Sequence, residues 1–272
     1  MSNDEATVSP KVLAARAAEV IREHSGVEKY DIALTLGSGW SAAADLIGDT
    51  IDQIPAWEVP GFSAPAVAGH GASMRTIKVA GSGKIALVLG SRTHYYEGKG
   101  LAAVAHGVRT AAALGAQQMV LTNGCGGLNP EWKPGQVVLI SDHINLTARS
   151  PIEGANFVDL TNLYSPRLRD LARSVDPALP EGVYVQFPGP HYETPAEVGM
   201  ARIIGGDLVG MSTTLESIAA REVGMEVLGL SLMTNLAAGI SPTPLSHEEV
   251  IAAGRAAAPR ISALLAQIVQ QI

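Results

Sequence analysis

KIALVLGSRTHYYEGKGLAAVAHGVRTAAALGAQQMVLTNG, residues Lys84–Gly124, carries three kinds of pattern in one stretch. KIALVLG is a short apolar run with the length and composition of a buried strand. LAAVAHGVRTAAALG is helical by composition and closes at Gly115, after which QQMVLTNG returns to strand character. Between the first strand and the helix stand an arginine, a histidine, two tyrosines and a glutamate, with glycines on either side. Strand, polar segment, helix, strand is the alternation of an α/β protein, whose ligands gather at the carboxyl ends of its strands.

The same alternation continues outward. SPKVLAARAAEVIREHSG reads as a helix capped by Ser9, opened by Pro10 and stopped by Gly26, with Val12, Leu13, Val20 and Ile21 on one face. DIALTLG is a buried strand ending at Gly37, and MRTIKVAGSGKIALVLG is a hairpin around Gly81-Ser82-Gly83. Further strands are expected at QVVLISDH, GVYVQFPG, DLVGMS and MEVLGLSLMTN, with helices near 196–204 and 213–223. Ser246 and Glu249 have capping-box spacing for a last helix, which Pro259 should kink or break. Residues 143–165 lack periodicity and read as a long functional loop. The expectation is one α/β domain over 1–272, a largely parallel centre with an antiparallel hairpin, and a flexible start at 1–8.

Composition narrows the function classes. Nearly half of the 272 residues are hydrophobic and 17% are charged, enough for a large core. A net charge of −7 argues against a broad nucleic-acid or anionic-membrane surface, so any anion needs a local pocket. The polar, acidic opening has no apolar signal region, and no apolar stretch approaches a membrane span. One cysteine, Cys125, leaves no intramolecular disulfide or cysteine-based zinc site. The expected setting is cytoplasmic.

Six strand ends carry polar or glycine-rich tails: GSGW, GSRTHYYEG, TNGCGG, GPHYETP, GMSTT and TNLAAG. They would meet in one place if their strands ran parallel. GSGWSA, Gly37–Ala42, matches the loose dinucleotide pattern, yet IPAWEVPGFSAP that follows is no second strand with an acidic ribose ligand. It is either an anion-binding turn before a helix, with Ser38 adding a hydroxyl, or simply a tight turn. In an extended SRTHYYEG, Arg92, His94 and Tyr96 would share a side. A guanidinium fork there suits phosphate, and a surface loop explains the grouping poorly. In TNGCGG, Gly124, Gly126 and Gly127 let backbone amides approach a ligand, while Cys125 reads as packing. Glu193 and Asn235 are ambiguous alone, since either could belong to a helix start. GMSTTLE fails the serine-hydrolase pattern at Thr214, and His143 reads as a structural histidine with no metal motif nearby.

Taken in order, RTHYYEG, TNGCGG, GPHYET, GMST and TN resemble the trimeric purine nucleoside phosphorylases of the nucleoside phosphorylase family, over most of the chain. The resemblance implies a mixed central sheet flanked by helices. It implies phosphate held by Ser38, Arg92, His94, the Gly124 amide and Ser212. Ribose would meet Tyr96, Met211 and His247, and the purine Tyr192, Glu193 and Asn235. Asn235, Glu193 and His94 would carry the chemistry, and Phe157 would reach a neighbouring subunit's site in a homotrimer. Inorganic phosphate is then a co-substrate, with no other cofactor and no metal. The implied reaction is reversible phosphorolysis of 6-oxopurine nucleosides such as inosine and guanosine. A methylthioinosine or methylthioadenosine phosphorylase is the alternative, and a nucleoside-binding protein without catalysis stands further off. Leu236 stands where some relatives carry Lys, and Tyr192 where some carry Phe.

Overall fold

In the computed structural model, which describes residues 8–63, 73–90, 92–241 and 245–272, the first helix, α1 (Pro10–Ser25), begins where Ser9 accepts from the Val12 N–H. It ends at Gly26, left-handed at φ 69°. Its buried side is Ala14, Ala17, Ala18 and Ile21, while Val12 is exposed, so the apolar face is rotated from the expected one. Alanines let this helix lie close to its neighbour, which the larger valine would prevent. Of the expected flexible start, only Val8 lies within the described residues.

The chain continues through β1 (Ile32–Thr35), the short α2 (Ala44–Ile47), β2 (Gly48–Pro55), β3 (Ser73–Val79) and β4 (Ile85–Leu89). Then come α3 (Gly100–Ala113), β5 (Gln118–Gly127), β6 (Val137–Asn145), α4 (Pro166–Val175) and β7 (Glu181–Gln186). α5 (Pro195–Ile203), β8 (Leu208–Gly210), α6 (Thr214–Glu222), β9 (Glu226–Leu236) and α7 (His247–Gln271) complete it. The strands form one sheet in the order β2-β3-β4-β1-β5-β8-β7-β6-β9, and β9 returns to pair with β5. Strands β5, β8, β7, β6 and β9 therefore close on themselves, which leaves that end of the sheet without a free edge.

The Lys84–Gly124 stretch is a strand–helix–strand crossover with β1 inserted: Leu34 faces Val88 of β4 on one side and Val120 of β5 on the other, all three strands parallel. Side chains alternate between two cores. Ala33, Leu87, Leu89, Met119 and Leu121 pack with the α1, α3 and α6 side; Ile32, Leu34, Ala86, Val88 and Val120 pack with the α7 side. Strands covered on both faces read as continuous apolar runs, which is why these were legible.

Several expectations change. β2 is an additional strand, antiparallel to β3 and mostly exposed at the sheet edge, so it lacks an apolar signature. β6, β7 and β8 run opposite to β5 and β9, so the sheet is mixed, as the resemblance implied, and not largely parallel as the strand–helix alternation alone suggested. α7 runs through Pro259 without a break. Pro259 is on the exposed side, where water can satisfy the carbonyl it strands. The long loop starts at residue 146, because β6 extends to Asn145.

Candidate active site

Gly37, two residues past the end of β1, has no room for a side chain: a Cβ there would lie 2.5 Å from the Thr122 carbonyl oxygen and 3.1 Å from Arg92 Nη1. Gly39, at φ 87°, sits against Gly254 of α7, and a Cβ on it would be 3.1 Å from that Cα. The glycines of GSGW thus serve close backbone approach. The segment that follows is one 3₁₀ turn, Ser41–Ala43, and the four-residue α2, too short to supply the helix N-terminus anticipated for an anion. Trp40, fully buried, donates from Nε1 to the Asn123 carbonyl at 3.0 Å and fixes the turn to β5.

A cavity of about 340 Å³ opens between this turn and the ends of β4, β5, β8 and β9. It is lined by Ser38, Arg92, His94, Tyr96, Gly124, Tyr192, Glu193, Met211, Ser212 and Asn235, ten of the twelve residues anticipated from sequence. Two are different. His247 opens α7 as expected, and its side chain lies outside the described residues. Phe157 is 94% exposed and does not line this chain's own cavity.

The tails converge although their strands are not all parallel. β8, which also pairs with β7, meets β5 at that strand's last two residues, Gly126 with Val209 and Gly127 with Leu208. Running backwards from there, it delivers Met211 and Ser212 toward Asn123 and Gly124. Gly189, at φ 68°, brings the GPHYE loop onto them, since a Cβ on it would lie 2.6 Å from Met211 Sδ and 2.9 Å from Tyr96 Cδ1.

Arg92 is nearly buried and held on three sides. Nη1 donates to the Thr122 carbonyl at 2.8 Å and to Ser212 Oγ at 3.2 Å, and Nε pairs with Glu216 Oε2 at 3.0 Å. Nη2 is buried without a hydrogen-bond partner. A guanidinium locked in this way keeps one donor nitrogen unsatisfied, which an anion could engage.

SRTHYYEG is not extended throughout. Tyr95–Glu97 form a 3₁₀ turn in which Glu97 Oε1 accepts from the His94 backbone N–H at 2.7 Å. The turn stacks the His94 and Tyr96 rings with centroids 4.8 Å apart and planes 13° from parallel. Burial pushes the Glu97 carboxyl up, but the bonds from His94 and Lys99 outweigh it and hold the group below its ordinary value.

A Cβ on Gly124 would meet Thr234 at 3.3 Å and Ser38 at 3.6 Å. Thr234 Oγ1 donates to Asn235 Oδ1 at 2.8 Å, and Asn235 Nδ2 donates to the Leu236 carbonyl at 3.0 Å. One N–H and one acceptor position of the amide remain for a ligand. Glu193 is buried with Oε1 unpartnered, and burial raises its carboxyl above the ordinary value. Burial likewise pushes the Cys125 thiol up to about 12, which fits its reading as packing. His143 meets the Tyr164 hydroxyl at 3.0 Å, burial lowers it to about 4, and it stays outside the cavity.

Sequence reading missed Glu216 and the backbone of Thr213, at φ 78° and ψ −50°. The helix expected near 213–223 is present, and the capping-box spacing of Thr213 and Glu216 was the signal that could have singled these two residues out. Nothing local announces the ion pair to Arg92, 124 residues away.

The phosphorylase superfamily model matches residues 31–270. A purine nucleoside phosphorylase from a Cellulomonas species is 67% identical over 98% of this chain and 96% of its own. A Schistosoma mansoni purine nucleoside phosphorylase solved with inosine superposes with a TM-score of 0.87 at 32% identity, over 97% of this chain and 98% of that one. The same organism's enzyme solved with adenosine gives 0.85 at 32% identity, over 95% and 96%. With that cavity at its strand ends, the chain belongs to the phosphorylase superfamily and, within it, to the purine nucleoside phosphorylases.

Proposed function

We propose that this chain cleaves 6-oxopurine nucleosides, inosine and guanosine among them, with inorganic phosphate, releasing the free base and ribose 1-phosphate. The observation that carries the reading is the buried, unpartnered Nη2 of Arg92, immobilised beside Ser212 in the same cavity as Glu193 and Asn235. Phosphate is the co-substrate, received by Arg92, Ser212, Ser38, His94 and the Gly124 amide. No other cofactor and no metal is assigned. Tyr96 and Met211 meet the ribose, His247 its 5′-hydroxyl, and Tyr192 flanks the base.

In the reaction a phosphate oxygen bonds to C1′ as the C1′–N9 bond breaks, and the bonding pair leaves on the purine. The ribose gains oxocarbenium character and the base gains negative charge. Asn235 is oriented by Thr234 and Leu236, so its remaining acceptor suits a protonated N7 and its remaining donor suits O6. Glu193 accepts from N1–H through Oε1. Holding nucleophile and nucleoside together supplies much of the acceleration. An adenine amino group would place a donor against the amide donor, which a closed site discriminates against strongly. The Schistosoma relative has been solved with adenosine as well as inosine, so selectivity has to be read as turnover. The site is assigned to a cytoplasmic homotrimer in which Phe157 completes a neighbour's cavity.

The test incubates the protein with inosine, guanosine, adenosine and methylthioadenosine, each with and without phosphate. Phosphate-dependent release of base from the first two alone is expected. Cleavage without phosphate would make the chain a hydrolase, and preference for the methylthio substrate would move it to that activity. In Asn235→Asp, a carboxylate oxygen meets the Leu236 carbonyl, so total activity falls. The adenosine-to-inosine ratio of kcat/KM is expected to rise by about tenfold or more. An unchanged ratio would remove Asn235 from purine selection.

A further inference from the structure

Glu216 is absent from the cavity chemistry just assigned, yet it holds two parts of it. Its side chain is 5% exposed and its Oε2 lies 3.0 Å from Arg92 Nε. The same oxygen accepts the Thr213 backbone N–H at 3.0 Å. Thr213 is the centre of a tight turn: the Thr214 N–H donates to the Ser212 carbonyl at 2.9 Å, with Thr213 at φ 78° and ψ −50°. These are the dihedrals of the strained γ-turn, unfavourable for a β-branched residue. Such a conformation persists only where its surroundings fix it. Here Asn123 Nδ2 donates to Thr213 Oγ1 at 3.0 Å, Ser212 Oγ lies 3.2 Å from the same atom, and Glu216 takes the backbone N–H.

The turn sets the direction of Ser212 Oγ, which accepts from Arg92 Nη1. One carboxylate therefore fixes the guanidinium by its Nε edge and, through Thr213, the hydroxyl beside it. With Nε and Nη1 occupied, the donor left without a partner is Nη2. A freely rotating Arg92 would lose this preorganisation, and a bare buried guanidinium would be costly.

We infer that Glu216 is a positioning residue for anion binding: it couples Arg92 and the Ser212–Thr214 turn so that both present their donors to phosphate together. The inference deepens the proposed phosphorolysis and rests on it. Glu216→Asp is the informative change, because it keeps the charge and withdraws the carboxylate by one methylene, out of reach of holding both partners.

The experiment is a double-mutant cycle in the full chain, comparing wild type, Glu216→Asp, Arg92→Ala and the double variant. Half-saturation by inorganic phosphate is read twice, from its elevation of the melting midpoint without nucleoside and from steady-state phosphorolysis. Glu216→Asp is expected to raise phosphate half-saturation about tenfold, and by less than about threefold once Arg92 is already Ala, with the nucleoside KM little changed. If Glu216→Asp does not fold, Glu216→Gln serves in the same cycle. It keeps the length but sets an amide donor against Arg92 Nε, and its effect is expected to be smaller in the Arg92→Ala background. Equal factors in both backgrounds, or no change in phosphate half-saturation, would reduce Glu216 to a helix cap and overturn the inference alone. A wild type indifferent to phosphate in both readouts would overturn the proposed function with it.

Discussion

Glu193 shows what a site costs when it waits for a ligand. Its carboxyl is buried with Oε1 unpartnered, and burial, the largest cause, raises it above its ordinary value of 4.5. The folded state then keeps the proton over a pH range in which the unfolded chain has already released it. Stability is therefore lost as pH rises from the unfolded value through the folded one, and the penalty is complete above that. Glu193→Gln removes the ionisation, so the unliganded variant is expected to resist urea better than the parent at about pH 7. The gap should narrow as pH falls toward 4.5; urea titrations at several pH values check it. A gap independent of pH would place the effect in packing. A purine N1–H supplies the partner that Oε1 lacks, so binding and ionisation reinforce one another in the proposed complex.

At the scale of elements, turns decide more than helices do. The GSGW turn works because Gly37 has no side chain: a methyl there would meet the Thr122 carbonyl oxygen at 2.5 Å and the Asn123 Cα at 2.9 Å, both backbone atoms of β5. Gly37→Ala must push β1 away from β5 or shift Arg92, whose Nη1 would be 3.1 Å from the new methyl. It is expected to lose about 1–3 kcal/mol of stability in urea denaturation, and phosphate binding with it. An unchanged midpoint would mean that the strand ends yield more readily than a packed sheet should. The 3₁₀ turn Tyr95–Glu97 is the second such device. It converts an alternating sequence into a His94–Tyr96 stack by folding Glu97 back onto the His94 N–H.

At the scale of the molecule, the long loop is pinned to its own chain. Arg109 Nη2 donates to the Pro151 carbonyl at 2.8 Å, and Arg221 Nε to the Asp159 carbonyl at 3.2 Å. Its Phe157 remains 94% exposed, and the proposed trimer would bury it. Sedimentation of the full chain is expected at three times the chain mass. Phe157→Ala should leave that assembly intact while raising the nucleoside KM about tenfold, with phosphate half-saturation unmoved. A fully active monomer would overturn the trimer and the role of Phe157 together. Among the described residues, no helix is long and apolar enough to cross a membrane.

What the sequence determined by itself was local or carried by order. Apolar runs buried on both faces gave β1, β4, β5 and β9, because continuous burial needs continuous hydrophobicity. Caps at Ser9 and Ser246 marked helix starts. The ordered polar tails named ten of the residues that line the cavity. Tertiary structure alone decided the rest, since the relevant contacts join distant segments. β2 is held by pairing rather than by its own apolar pattern, and strand direction in β6 to β8 follows from how the sheet closes. The ion pair of Glu216 with Arg92 joins the first turn of α6 to the segment after β4, a proximity that no spacing along the chain expresses.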